Sequence, residues 1–480
     1  MNRPLLLLIL ITTALRLAFG AAIGLGVDES YMVSAGRVLS LGYFDHPPAA
    51  WWLSWASTHL FQSEAPLAAR LPFILLFALT TVLMARLGTA LAGERAGFWS
   101  AVTLNLSPVF GITAGGWVLP DGPLDCALTG AALCLIHALH GRDTTRWWIG
   151  AGLCAGLALF SKYSAILTIA GAFLFLLWSR DHRVWLRRPQ PYIAACVALL
   201  VFSPVILWNA THDWASFAFQ GARAAGPRFQ PLAPFITLAG EALFVLPWFW
   251  LAMLLCAVRA IRADWRHRLL LALAAPPILT FAAISLWSSQ RILFHWAAPG
   301  YLMLFPVLGC WIASVWPHRA TRIMIGGTAA LCLAAVSVIS LQIRTDWLGF
   351  AMPAKDPTAE GIDWTSLRVD LTARGLLPEG TVVGVPNWRD AGKIARGLGS
   401  DVTVLVLNPD SRQFGLSWPM ARWAGATILV VSVGPVPETV KAQFTTIDVL
   451  EYSLVTLRGR VLKRISVARG SELQGFGKAP

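Results

Sequence analysis

The sequence predicts an all-α polytopic membrane protein followed by a soluble α/β domain, and three observations lead there. The first is composition: of 480 residues 56% are hydrophobic and only 13% charged, with 23 Trp and 24 Phe, more apolar surface than a soluble chain can hide. The second is spacing, since apolar runs of span length alternate with short clusters of arginine. The third is a change after about residue 345, where long apolar runs give way to short β-rich segments and polar helices. The domains expected from this are 1–344 in the membrane and 345–480 outside it.

The elements follow in order. Pro4 to Leu25 comes after Asn2-Arg3, is long enough to span, and shows no small-residue cleavage site before Asp28; it reads as a retained signal-anchor. In the external loop that follows, Tyr31, Met32, Ala35, Val38 and Leu39 recur at helical spacing, as do Trp51, Trp52, Trp55 and Leu60. Two interfacial helices with tryptophans at headgroup depth fit this pattern, joined by the rigid turn Asp45-His46-Pro47-Pro48. Further spans are expected at about 67–91, 96–119, 122–140, 147–160, 163–178, 191–208, 234–257, 269–287, 297–316 and 323–342, about 11 with the first. Trp147 to Trp178 is too short for two full spans, is interrupted at Ser161-Lys162 and is flanked by arginines at both ends. Two shortened helices meeting at Lys162 satisfy length and charge together, with the lysine aimed into a cavity that opens outward. In the C-terminal part Thr381–Val385, Val402–Leu407 and Thr427–Val433 read as strands and Arg389–Leu398 as a helix.

Charge asymmetry sets the orientation. One side holds Arg3, Arg95, Arg142, Arg146, Arg180, Arg183, Arg187, Arg188, Arg259, Arg262, Arg266, Arg268, Arg319 and Arg322. The opposite loops are poor in Lys and Arg, which puts the N-terminus in the cytoplasm and residues 345–480 outside, in the periplasm if the membrane is a bacterial inner membrane. The net charge of +13 does not imply nucleic acid, because the cations sit between apolar runs and form no long basic face with exposed aromatics. Seven cysteines dispersed within apolar runs form neither a disulfide framework nor a ligand spacing. No cofactor is expected, and no fixed ligand spacing around Asp45, His46 or His295 supports a divalent metal.

Ionisable groups at a membrane edge are functional by default. Asp28-Glu29 follows the first span, Asp121 opens the fourth, and Lys162, Arg291 and His295 fall at outer helix ends. Each also has a structural reading: Asp28 and Asp121 as helix caps, Glu29 as a complement to a helix dipole, Lys162 as a snorkelling side chain, and Arg291 as an interfacial anchor.

The ordered motifs resemble a known family. Asp28-Glu29 followed by Gly42-Tyr43-Phe44-Asp45-His46-Pro47-Pro48 is similar to the first external loop of the protein O-mannosyltransferase superfamily, glycosyltransferase family 39. Pro120-Asp121-Gly122-Pro123, Leu159-Phe160-Ser161-Lys162-Tyr163, Trp208-Asn209-Ala210-Thr211-His212-Asp213-Trp214 and Phe294-His295-Trp296-Ala297-Ala298-Pro299 resemble the bacterial branch. That branch is related to the aminoarabinose and galacturonic acid transferases of lipopolysaccharide. The likeness runs over roughly residues 1–345, with His46 where the aminoarabinose enzymes carry Lys. The resemblance implies a GT-C fold and transfer of a hexose or pentose from a polyprenyl-phosphate donor, with inversion. The implied acceptor is lipid A, a glycan or a protein hydroxyl. Asp28 is then the nominated base, Glu29 and Asp121 its supports, and Tyr43, Asp45, His46, Lys162, Tyr163, Arg291 and His295 the substrate-binding set. Membrane lipids are the remaining partner, and nucleic acid is not one.

The chemistry agrees from first principles. Nucleotide sugars are absent outside the membrane, so the donor must be lipid-borne. A departing phosphate needs cations, and a hydroxyl acceptor needs a carboxylate base, whereas an acceptor already anionic needs the base less. The alternative is a transporter or flippase of a lipid-linked sugar. Against it, the second half does not repeat the first, and the carboxylates gather at one outer edge rather than at the midplane.

Overall fold

The computed structural model describes residues 2–141, 144–223, 229–288, 292–351 and 356–474. The membrane-type helices are α1 (Arg3–Ala22), α4 (Pro66–Ala92), α6 (Asp121–His140), α7 (Thr145–Ser161), α8 (Ala165–Trp178), α9 (Gln190–Ala210), α13 (Trp265–Ile284) and α16 (Arg319–Thr345), together with three broken segments. In the first broken segment α5 (Glu94–Leu106) passes through Pro108 into a π-helical turn, Val109–Ala114. In the second, α11 (Ala233–Val245) meets α12 (Pro247–Ala260) at a 109° bend. In the third, a 3-10 turn and α14 (Ala298–Leu302) meet α15 (Phe305–Val315) at 61°. The external loop carries α2 (Val27–Ala35) and α3 (Ala49–Leu60), and α10 (Ala215–Ala222) follows α9.

The stretches expected to span fall largely on helical segments, several of them interrupted. Among the described residues six helices are long and apolar enough to cross a membrane, or up to eight if each bent pair is one span. The others are short or interrupted, for local reasons. Leu246 sits at φ +90° between α11 and Pro247, whose ring removes a backbone donor and drives the preceding residue out of helix. The π-helical turn follows Pro108 in the same way. Lys162 is extended (φ −155°, ψ 134°) and separates α7 from α8.

The chain divides into two compact units. The first comprises residues 1–17, 40–50 and 71–334. Its core is a cluster of Leu, Phe, Trp and Ala side chains from α4 to α15, among them Phe77, Phe110, Phe249, Phe305 and Leu308. Small residues let its helices close up: a Cβ on Gly152 or Gly156 of α7 would strike the α9 backbone at Ala194 or Ala198.

The second unit comprises residues 18–39, 51–70 and 335–480, so α2 and most of α3 group with the C-terminal residues. It adds α17 (Thr365–Ala373), β1 (Val382–Val385), α18 (Trp388–Leu398), β2 (Thr403–Val406), α19 (Arg412–Ser417), β3 (Ile428–Val433), α20 (Glu438–Lys441), β4 (Phe444–Leu457) and β5 (Arg460–Leu473). The sheet runs β2-β1-β3-β5-β4, with β1 parallel to β2 and β3, and β5 antiparallel to β3 and β4. Its core is Val382, Leu405, Ile428, Val430, Phe444 and Ala468. The three expected strands and the expected helix are present, and the long β4–β5 hairpin is an addition to them.

Helix α3 forms where expected, but its apolar residues do not share one face: Trp51 is buried while Trp52 and Leu60 are exposed. Helix α2 differs, because every residue from Glu29 to Ala35 is buried. The reason is α18. Gly392 comes so close to Tyr31 that a Cβ there would sit 2.7 Å from its backbone nitrogen, and Ser34 Oγ donates to the Gly392 carbonyl at 3.1 Å.

Candidate active site

In the first unit the ionisable groups converge on the α7–α8 break. Lys162 leaves the helix into an extended backbone, and its ammonium donates to Asp121 Oδ1 at 2.9 Å. Asp121 is placed by Pro120 at the start of α6, and both partners are buried, each about 8% exposed. His46 and His295 are near enough to Asp121 to act on its charge. Asp125, one turn further along α6, is buried too. A cavity of about 120 Å³ opens at this point, lined by His46, Lys162, Tyr163, Gln220, Arg223 and Trp296 among others. Arg223 stacks its guanidinium between Phe219 and Trp296, 5.0 Å from each ring centre.

The remaining expected residues of this unit hold its walls. Tyr163 shares a hydrogen bond with Ser216 at 2.8 Å and packs against Phe217. Asp45 is buried, and its carbonyl accepts from Gln220 Nε2 at 2.5 Å, which ties the Asp-His-Pro-Pro turn to α10. Gly42 lies against Trp208, where a Cβ would approach the indole at 2.9 Å. Tyr43 is fully buried, with its hydroxyl accepting from the Ser40 N–H at 3.2 Å, so its side chain offers no surface to a ligand and instead holds the loop. Burial pushes the Tyr43 phenol up to about 12. His295 lies on the 3-10 turn before α14. Arg291 and Arg142 lie outside the described residues.

In the second unit the neighbours Asp28 and Glu29 have different surroundings. Glu29 is 2% exposed and fully engaged. Arg70 grips it in a fork, Nε to Oε1 at 2.8 Å and Nη2 to Oε2 at 2.5 Å, and the Gly26 N–H donates to Oε2 at 2.8 Å. The last contact is half of a capping box for α2. Arg70 spends its other donors on the carbonyls of Gly20, Ile23 and Gly24 at 2.8–3.0 Å. Asp28 is exposed to solvent yet crowded by protein. That crowding raises its pKa above the ordinary carboxylate value; Arg389 and Arg412 oppose the shift, while Glu360 and Glu29 add to it.

Sequence reasoning missed Arg70, Gln220 and Arg223. Arg70 carried a signal, as a lone cation in the apolar run that begins α4. Gln220 on the short helix α10 and Arg223 just past its end show no such contrast. Among the described residues, no group of three or more His, Cys, Asp or Glu is arranged to hold a metal ion.

Residues 45–208 match the family model described as dolichyl-phosphate-mannose-protein mannosyltransferase. Among curated proteins no sequence match is found. Among solved structures, ArnT from Cupriavidus metallidurans bound to undecaprenyl phosphate is similar at 17% identity, with a TM-score of 0.65 over 96% of this chain and 97% of that one. The oligosaccharyltransferase AglB from Archaeoglobus fulgidus, in complex with an inhibitory peptide and a dolichol-phosphate, is similar at 13% identity, with a TM-score of 0.52 over 92% of this chain and 70% of that one. The resemblance read from the motifs is borne out. The protein has the GT-C glycosyltransferase fold and, over residues 45–208, the sequence pattern of the protein O-mannosyltransferase superfamily.

Proposed function

We propose that the protein is a bacterial inner-membrane glycosyltransferase that moves a hexose or pentose from a polyprenyl phosphate to a cell-envelope acceptor on the periplasmic face. The observation that carries this reading is the cavity at the α7–α8 break. There Lys162, Arg223 and His46 bring cationic or potentially cationic groups into an otherwise apolar bundle. Placing such groups among apolar helices is costly, and an anionic ligand gives them a purpose. The two solved structures of like fold hold a polyprenyl phosphate or a dolichol-phosphate, which supports the same ligand class here.

In the proposed reaction the acceptor hydroxyl attacks the anomeric carbon and the bond from that carbon to the phosphate oxygen breaks. The sugar is transferred with inversion. Asp28 takes the acceptor proton, and the polyprenyl phosphate leaves with its charge met by Lys162 and Arg223. Asp121 holds Lys162 in place until the phosphate arrives, Glu29 holds the start of α2 through Arg70, and His46 and His295 tune the charge around Asp121. No cofactor takes part in the proposed transfer.

Mass spectrometry of envelope glycolipids, glycans and glycoproteins, with and without this protein, tests the reading. Loss of one sugar from one acceptor is the expected result and names both substrates. An unchanged glycan profile would remove the transferase reading. Sugar-loaded carrier accumulating on the inner leaflet would favour a flippase. An alkaline phosphatase fusion after residue 345 should be active if residues 345–480 are periplasmic, and an inactive fusion would reverse that orientation.

A further inference from the structure

Lys393 is a buried ion for which the proposed transfer has no use. It stands on α18, is 2% exposed, and its ammonium contacts three backbone carbonyls: Leu25 at 2.5 Å, Glu360 at 2.5 Å and Ile362 at 2.9 Å. An ammonium has three donors, and each is used on a neutral acceptor. Taking a lysine out of water to bind carbonyls is expensive unless the geometry it fixes matters.

What it fixes is the turn between α1 and α2. Gly24 is so close to the chain at Gly361–Asp363 that a Cβ would sit 2.7 Å from the Asp363 nitrogen, and its N–H donates to the Gly361 carbonyl at 2.7 Å. The Leu25 N–H donates to Asp363 Oδ1 at 3.3 Å, and the Leu25 carbonyl also accepts from Ser30 Oγ at 3.2 Å. The Arg70 fork binds the same turn at the Gly24 carbonyl. Two residues after Gly26 comes Asp28, on the first turn of α2.

We propose that Lys393 is a positioning residue for Asp28: by binding the Leu25 carbonyl it locks the turn from which α2 and the Asp28 carboxylate are launched. This rests on Asp28 being the base. It gives the C-terminal α/β residues a part in the reaction without contact to substrate. The charged groups around Lys393 are Asp363, Glu29 and Glu360, which favour its proton, and Arg396, which opposes it. Burial is the largest influence and brings the ammonium down to about 8, so the contact loses a donor as pH rises through that value.

The test uses the full chain in nanodiscs, with a lipid extract of host membranes lacking this protein as donor and acceptor. In Lys393→Met, amide hydrogen exchange at Gly24, Gly26 and Ser30 should quicken about 10- to 100-fold at pH 7, the effect of one lost charge-assisted contact, while β3 and β5 stay unchanged. The kcat should fall about tenfold or more with donor KM unchanged. Wild-type turnover should decline as pH rises through about 8, and Lys393→Met should lack that limb. Unaltered exchange at the turn, an alkaline limb that survives in Lys393→Met, or a raised KM with kcat intact would each overturn the proposal. If Lys393→Met fails to fold, Lys393→Gln takes its place, and a wild-type profile flat through pH 8 to 9 is sufficient refutation. Asp28→Asn in the same assay separates the two ideas: full turnover there removes the base, whereas the exchange data still decide whether Lys393 holds the turn.

Discussion

The cavity region of the first unit and the Gly24–Glu29 turn of the second both bury a carboxylate against a cation, and they do so to different ends. At the cavity, Asp121 and Lys162 share one contact of 2.9 Å and Lys162 lines open space, so under the proposed function an incoming phosphate can compete for the ammonium. At the turn, Arg70 and Glu29 are joined by two contacts, their side chains are buried, Arg70 spends its remaining donors on backbone carbonyls, and Glu29 accepts a further bond from the Gly26 N–H. A sealed pair of this kind sets backbone geometry, while a bordered pair can exchange partners. In the proposed function the accessible neighbour of the sealed pair, Asp28, is the chemical group of its region, as Lys162 is of the other.

The sharpest way to break this comparison is at Asp28. Asp28→Asn keeps size and capping ability but removes the proton acceptor, so turnover with a hydroxyl acceptor should fall roughly 100- to 10,000-fold with folding and donor binding nearly unchanged. Near-normal turnover would leave the turn with no chemical role. Next in size is Arg70→Ala, which strands a buried Glu29 and should destabilise the protein by about 3–5 kcal/mol, read as a lower thermal midpoint in detergent. If that midpoint stays within about a degree of wild type, the pair is not sealed. For the bordered pair, Lys162→Gln should weaken polyprenyl-phosphate binding about 10- to 100-fold while the fold persists, measured by equilibrium binding. Unaltered affinity would move the phosphate to Arg223 or His46. The smallest effect is in the pH profile. A base must be deprotonated, so activity is lost as pH falls through the Asp28 pKa; because that pKa is raised, the acid limb should lie above the ordinary aspartate value of about 3.9. A limb at or below that value would show Asp28 to be unperturbed.

Much of the architecture was legible in the chain. Apolar runs of span length, prolines and one lysine marked the long apolar helices and the break at Lys162, because the cost of unpaired backbone in an apolar setting is met locally and leaves a mark on composition. The strands of the parallel part of the sheet were legible as short, nearly continuous apolar runs, the pattern of strands buried on both faces. The β4–β5 hairpin was not. Its strand β4 is largely exposed and mixes polar with apolar residues without a strict alternation, and its turn uses Arg458 and Gly459, both at positive φ, in place of the familiar Asn-Gly. Helix α2 was legible as a helix but not as a buried one, since α18, which covers it, lies more than 350 residues later.

The sequence alone determined which residue types stand near the membrane edge and in what order, because hydropathy, charge bias and motif spacing are local properties. Only the tertiary structure decided what each of them does with its charge. Asp28 and Glu29 are neighbours with the same chemistry on paper, yet one is clamped by Arg70 and the other is left to solvent. Lys162 and Lys393 are likewise both buried, one meeting a carboxylate and the other three carbonyls. Those partners come from segments tens to hundreds of residues away, and the energy of a buried charge is set by what surrounds it in space, which no stretch of sequence around the residue records.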